Sequence, residues 1–181
     1  MNDPQGLTRG VHAYRVVPRV LCFILRGDRV LLQKRAGHKR LWPNMYNGLG
    51  GHLEPGEDVL EGLLREIREE GGPAVENVRL RGIVTIDGGE NEGVLLFLFL
   101  ADARGDEVGR SEEGVLEWVP LDGVHRLPLV EDVEDLLPRL LAADREGILL
   151  FGHYAYDAAG KLRARWREGL PSTPGGTSTG G

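Results

Sequence analysis

Apolar residues recur along the chain with two periods, and the switches between them mark its elements. Residues 16–25 and 29–33 are β-prone runs separated by Gly27-Asp28, the composition of a hairpin turn. Residues 41–47 are irregular, broken by Trp42-Pro43, and the Gly-rich stretch 47–53 has room for a short strand. A helical period then takes over at 57–70 and stops at Gly71-Gly72-Pro73. Two further strands follow, 78–86 and 94–101, joined by a polar turn, and residues 116–121 form another strand candidate. Val130, Val133, Leu136, Leu137, Leu140 and Leu141 mark a second amphipathic helix that contains Pro138. A closing hairpin, 148–156 with 161–166, turns at residues 157–160. Hairpins and helices mixed in this order predict an α/β fold, a mixed sheet with helices packed on it.

The first helix carries the chemistry. At 100° per residue, Val59, Leu60, Leu63, Leu64 and Ile67 share one apolar arc. Glu61, Arg65 and Arg68 fall on the opposite side, where Glu61 and Arg65 are spaced as an i,i+4 ion pair. Glu66, Glu69 and Glu70 cluster on one flank of the arc, with no basic residue of the helix beside them. Like charges at this spacing repel by about 0.2–0.5 kcal/mol per exposed pair, and more where burial lowers the dielectric. The helix dipole also disfavours negative charge in its last turns. A solvated acidic face is one reading of such a cluster; a missing divalent cation, held by hard carboxylate oxygens, is the other.

The run from Gly51 through Glu57 to Arg65, Glu66, Glu69, Glu70 and Gly72 has the spacing G-x5-E-x7-R-E-U-x-E-E-x-G-U, where U is aliphatic. It resembles the Nudix box at every fixed position and at the first aliphatic one, Ile67. Pro73 stands at the last aliphatic position, a departure that bears on packing after the helix. The resemblance implies a Nudix-type α/β/α sandwich. It also implies Mg²⁺, with Mn²⁺ as the alternative, held by Glu66, Glu69, Glu70 and Gly51. Glu57 and Arg65 would brace loop and helix. Family members attack phosphorus with water, so the resemblance gives Glu70, Glu66 and Arg65 catalytic roles. The carboxylate that accepts the water's proton comes from the box or from the later SEEG loop, where Glu113 is ranked ahead of Glu112.

The segment MYNGLGGHLEPGE is similar to the MutT-like branch, which implies contacts from Asn47 and Gly50 to the substrate. An asparagine can read a base edge, or simply close its own turn. Asp132, at the start of the second helix, is a candidate purine reader or an ordinary helix N-terminal acid. Lys34 and Arg35, in a basic cluster with Lys39 and Arg40, are candidate phosphate ligands or solvated charges. The leading expectation is hydrolysis of a nucleoside triphosphate, such as 8-oxo-dGTP, to monophosphate and pyrophosphate. The alternatives are another Nudix pyrophosphatase (ADP-ribose, dinucleoside polyphosphate or nucleotide sugar) and a non-catalytic nucleotide-binding module.

Composition narrows the partners. The chain of 181 residues is 41% apolar and 28% charged, an ordinary globular balance, with a net charge of −6. The acidic balance argues against a nucleic-acid polymer or a membrane as partner; the Nudix resemblance implies a small-molecule nucleotide instead, and a monomer or homodimer is expected. The single cysteine, Cys22, excludes a disulfide framework, and its apolar neighbours make it a core thiol. No run is long and apolar enough to span a bilayer and the start lacks a secretion signal, so a cytoplasmic setting is expected. The domain is expected over residues 11–170, after a weakly ordered 1–10 and before a Gly/Ser/Thr tail, 171–181, expected to be disordered.

Overall fold

The structure is a computed structural model and describes residues 14–109 and 111–169. The segments 1–10 and 171–181 therefore lie outside the described residues. β1 (Arg15–Arg26) and β2 (Arg29–Arg35) form the expected hairpin, with Gly27 at φ 59° in its turn. A two-residue strand, β3 (Tyr46–Asn47), precedes α1 (Val59–Glu69). Two long strands, β4 (Val75–Asp87) and β5 (Glu92–Ala103), pair antiparallel, and β6 (Gly114–Pro120) follows. α2 (Val133–Glu146) ends on Gly147 in the left-handed region, where a glycine carries no Cβ penalty. A hairpin of β7 (Leu150–Tyr156) and β8 (Leu162–Glu168) closes the fold.

Among the described residues, all eight strands join one mixed sheet. Its order is β3-β2-β1-β5-β4-β7-β8, with β6 on the other edge of β2. The pairings β1–β5 and β4–β7 are parallel and the others antiparallel. One sheet face packs Val20, Cys22, Ile24 and Leu31 against Leu63 and Ile67 of α1. The other packs Leu21, Phe23, Val84 and Leu98 against Leu136 and Leu140 of α2. This is an α/β/α sandwich.

The sheet divides where the site lies. β1 pairs with β2 only through residues 24–26, and β3 then takes over the same edge of β2 at Gln33 and Lys34. The edge of β1 beyond the split is occupied by the Gly-rich loop, not by a regular strand. The amide of Cys22 donates to Leu49 O at 2.7 Å, that of Leu49 to Cys22 O at 2.9 Å, and that of Val20 to Gly51 O at 2.9 Å. Glycine is required here by space: a Cβ on Gly50 would lie 2.1 Å from Val20 O, and its φ is 154°.

α1 departs from the expected wheel in two ways. Leu63 is fully buried, but Leu60 and Leu64 are 46% and 36% exposed, so the buried stripe is narrower than the apolar arc. The Glu61–Arg65 pair does not form. Instead, Asp58 accepts from the amides of Leu60 and Glu61, and Glu61 accepts from the amide of Asp58, completing a capping box.

Candidate active site

Freed from Glu61, Arg65 turns toward the carboxylates. Its Nε and Nη2 donate to the two oxygens of Glu57, at 3.0 and 2.7 Å. Nη1 donates to Glu66 at 3.0 Å and Glu69 at 3.2 Å, and Nη2 also reaches His52 O at 2.8 Å. The expectation that no helix cation shares the acidic flank is thus corrected: an arginine's length lets it cross from the next face. These bonds hold Arg65 firmly protonated and keep the Glu57 carboxyl below its usual range, helped by the Glu54 amide. One side chain ties the Gly-rich loop, the helix entry and two of the three candidate metal-binding glutamates together.

Glu70, the C-cap of α1, is only 5% exposed. Gly50 donates its amide to Glu70 Oε2 at 2.8 Å. Burial is the main cause that lifts the Glu70 carboxyl to about 7, with repulsion from Glu66 and Glu113 adding to it; the Gly50 amide and Gln33 pull the other way. Glu69 is largely exposed. Gly51 sits against Glu66, and a Cβ there would come within 2.4 Å of the carboxylate. That bare backbone, with Glu66 beside it and Glu70 desolvated and repelled, fits a hard divalent cation. Among the described residues no three acidic, histidine or cysteine side chains converge as a ready-made cage.

These residues face a cavity of about 600 Å³. Glu66, Glu69 and Glu70 line it with Gly50, Gly51, His52, Asn47, Arg35, Glu112, Glu113 and Asp132, so most of the expected site residues come together. Lys34 is not among its lining residues; its ammonium lies 5.8 Å from the centre of the Tyr46 ring. The Asn47 side-chain oxygen accepts from the Gly48 amide at 2.8 Å, which closes the local turn. Glu113 is paired with Lys39 at 2.6 Å. Asp132 is desolvated, and burial, with Glu131 beside it, raises its carboxyl to about 6. Trp42, Ile86, Val94, Leu96 and Val130 give the cavity apolar surface.

Sequence reasoning missed Arg19. It lines the cavity from β1, and its buried Nε has no hydrogen-bond partner. The available signal was parity: Arg19 shares the strand face of Leu21 and Phe23, where an apolar side chain belongs.

The NUDIX domain family matches residues 15–140, and the chain belongs to the Nudix family. It is 30% identical over 140 residues to the uncharacterized Nudix hydrolase YvcI of Bacillus subtilis, covering 75% of this chain and 84% of that one. It is 32% identical over 141 residues to the NAD-capped RNA hydrolase NudC of Pseudomonas aeruginosa, covering 76% of this chain and 49% of that protein. The chain therefore spans about half the length of its NudC relatives. Among solved structures, the mutator MutT protein from Bacillus halodurans superimposes with a TM-score of 0.70 at 30% identity, over 83% of this chain and 97% of that one. The chain is a Nudix-family hydrolase.

One expectation about partners changes. The exclusion of a nucleic-acid polymer is overturned by the relatives, several of which are NAD-capped RNA hydrolases. Net charge opposes coating by a polymer, but it says nothing against one terminal pyrophosphate entering a pocket. For membranes, no helix among the described residues is long and apolar enough to cross a bilayer.

Proposed function

We propose that this enzyme cleaves the pyrophosphate bond of a substituted nucleoside diphosphate, a dinucleotide of the NAD type, free or at an RNA 5′ end. The observation that carries this reading is the 32% identity to NudC across the segment that holds the site. The apolar side of a 600 Å³ cavity supports it, since a dinucleotide brings a flat ring on each side of its pyrophosphate. Glu66, Glu69, Glu70 and the Gly51 carbonyl would hold Mg²⁺ or Mn²⁺, which supplies charge neutralisation at the phosphate oxygens and an acidified water.

The remaining roles fall to the chain itself. Arg65 fixes Glu57, Glu66 and Glu69, so the acidic flank is organised before substrate arrives. Glu113, just before β6 and outside α1, would accept the water's proton when the α1 carboxylates are engaged. Lys39 orients it. Asp132 and the Asn47 amide nitrogen are the groups for a base edge.

A second reading, hydrolysis of a nucleoside triphosphate such as 8-oxo-dGTP, is favoured by the likeness to the MutT structure. One panel separates the two: kcat/KM for NAD, NAD-capped RNA, ADP-ribose, a dinucleoside polyphosphate, dGTP and 8-oxo-dGTP. Higher values for the dinucleotides support the proposal. A clear preference for either triphosphate overturns it.

A further inference from the structure

The cavity has a cationic wall that the α1 carboxylates do not use. Arg19 stands on β1, opposite Leu96 of β5 on one side and bridged to His52 of the Gly-rich loop on the other. Its Nε is buried without a partner, and an unpaired buried donor is costly, the more so when it is charged. Arg35, on β2, lines the same cavity, and its Nε is spent on Leu41 O at 3.1 Å. Burial and repulsion from Arg35 both push the Arg19 guanidinium below its usual pKa.

The nearby acids do not resolve this conflict. Glu66 and Glu69 are committed to Arg65, Glu113 to Lys39, and Glu70 to the Gly50 amide. Among the described residues, neither Arg19 nor Arg35 forms an ion pair. Two guanidinium groups thus line one cavity with unspent donors, and none of the carboxylates that line it, Glu112 and Asp132 included, pairs with either. Such a pair is stable when a multiply charged anion lies between the two cations, and guanidinium matches phosphate oxygens in geometry.

We propose that Arg19 and Arg35 form an anion subsite that binds the pyrophosphate unit of the nucleotide without any metal. The subsite rests on the nucleotide reading of the cavity but not on the choice of dinucleotide over triphosphate. Substrate is then captured by the arginines independently of divalent ion, and the product phosphates compete for the same donors.

The test is calorimetric titration of the full chain with inorganic pyrophosphate in EDTA. Wild-type protein binds it, with affinity falling as salt rises. Arg19→Gln and Arg35→Gln each weaken binding by about tenfold or more, the scale of a lost charge-assisted contact. Arg19→Lys, which keeps charge but not the fork, falls between. A second readout guards against misfolding. Arg19→Gln removes a half-buried unpaired charge, so its ligand-free unfolding midpoint equals or exceeds that of wild type. Failure of wild type to bind without metal overturns the proposal, as does an Arg19→Gln variant that binds like wild type. A substrate panel favouring triphosphates would refute the dinucleotide reading and leave the pyrophosphate result standing.

Discussion

The guanidinium of Arg65 grips both carboxylate oxygens of Glu57 across eight residues of sequence, at 3.0 and 2.7 Å. The contact joins the end of the Gly-rich loop to the middle of α1 and leaves a third nitrogen for Glu66 and Glu69. Lysine offers one charge centre and no fork. Arg65→Lys should lower the affinity for Mg²⁺ by about 10–100-fold, the usual effect of losing a group that orients metal ligands. Calorimetric Mg²⁺ titration of both proteins checks it; equal affinities would remove Arg65 from the bracing role.

Gly51 faces Glu66 so closely that a methyl group would displace the carboxylate, but it meets no backbone atom among its nearest contacts. Gly51→Ala should therefore lower kcat by at least about tenfold, the cost of misplacing a reacting group by an ångström being of that order or more. Its unfolding midpoint should stay near wild type. Gly50→Ala differs, because its Cβ would strike the Val20 carbonyl. That variant should lose both activity and stability, which thermal unfolding will distinguish.

Glu113→Gln should reduce kcat by about 10²–10⁴-fold, the usual scale of general-base catalysis, with Mg²⁺ affinity retained. Glu70→Gln should impair both. A Glu113→Gln enzyme with wild-type turnover would return the base role to the α1 carboxylates.

Asp132 provides a pH signature away from those glutamates. Its carboxyl is raised from 3.8 to about 6 in the folded protein, so the folded state holds the proton more tightly than the unfolded one. Its favourable contribution is full below about 3.8 and is lost as pH rises through 6, a change of roughly 3 kcal/mol. Asp132→Asn should flatten stability between pH 4 and 6.5, measured by urea unfolding at each pH. An unchanged slope would show that Asp132 is solvated.

The two sides of α1 should respond unequally. Leu63 is fully buried between helix and sheet, and Leu63→Ala should cost about 2–5 kcal/mol. Leu60 and Leu64 lie on the exposed shoulder, and Leu60→Gln or Leu64→Gln should change stability by about 0.5–1 kcal/mol at most. Denaturant midpoints for the three variants decide it.

Local chemistry was legible in the sequence where one short segment settles it. The hairpin at Gly27, the stop at Gly71-Gly72 and the fixed spacing from Gly51 to Glu70 needed no distant partner. Partner choice was not legible where long side chains decide. Helical angles assigned Arg65 to Glu61, but Asp58 claims the helix start and draws Glu61 into its cap. The same limit hid Arg19, whose meaning depends on Arg35 across a division of the sheet that no periodicity encodes. Parallel pairing of β1 with β5 and β4 with β7 was also out of reach, since side-chain alternation carries no strand direction.

Because the Gly-rich loop completes the hydrogen-bonding of β1, it inherits strand registration despite its irregular outline. Inserting a single residue between Asn47 and Leu53 would slide every donor and acceptor by one place, carrying Gly50 away from Glu70 and Gly51 away from Glu66. Evolution can therefore exchange the cavity's apolar wall freely, but must treat these seven positions as a ruler of fixed length.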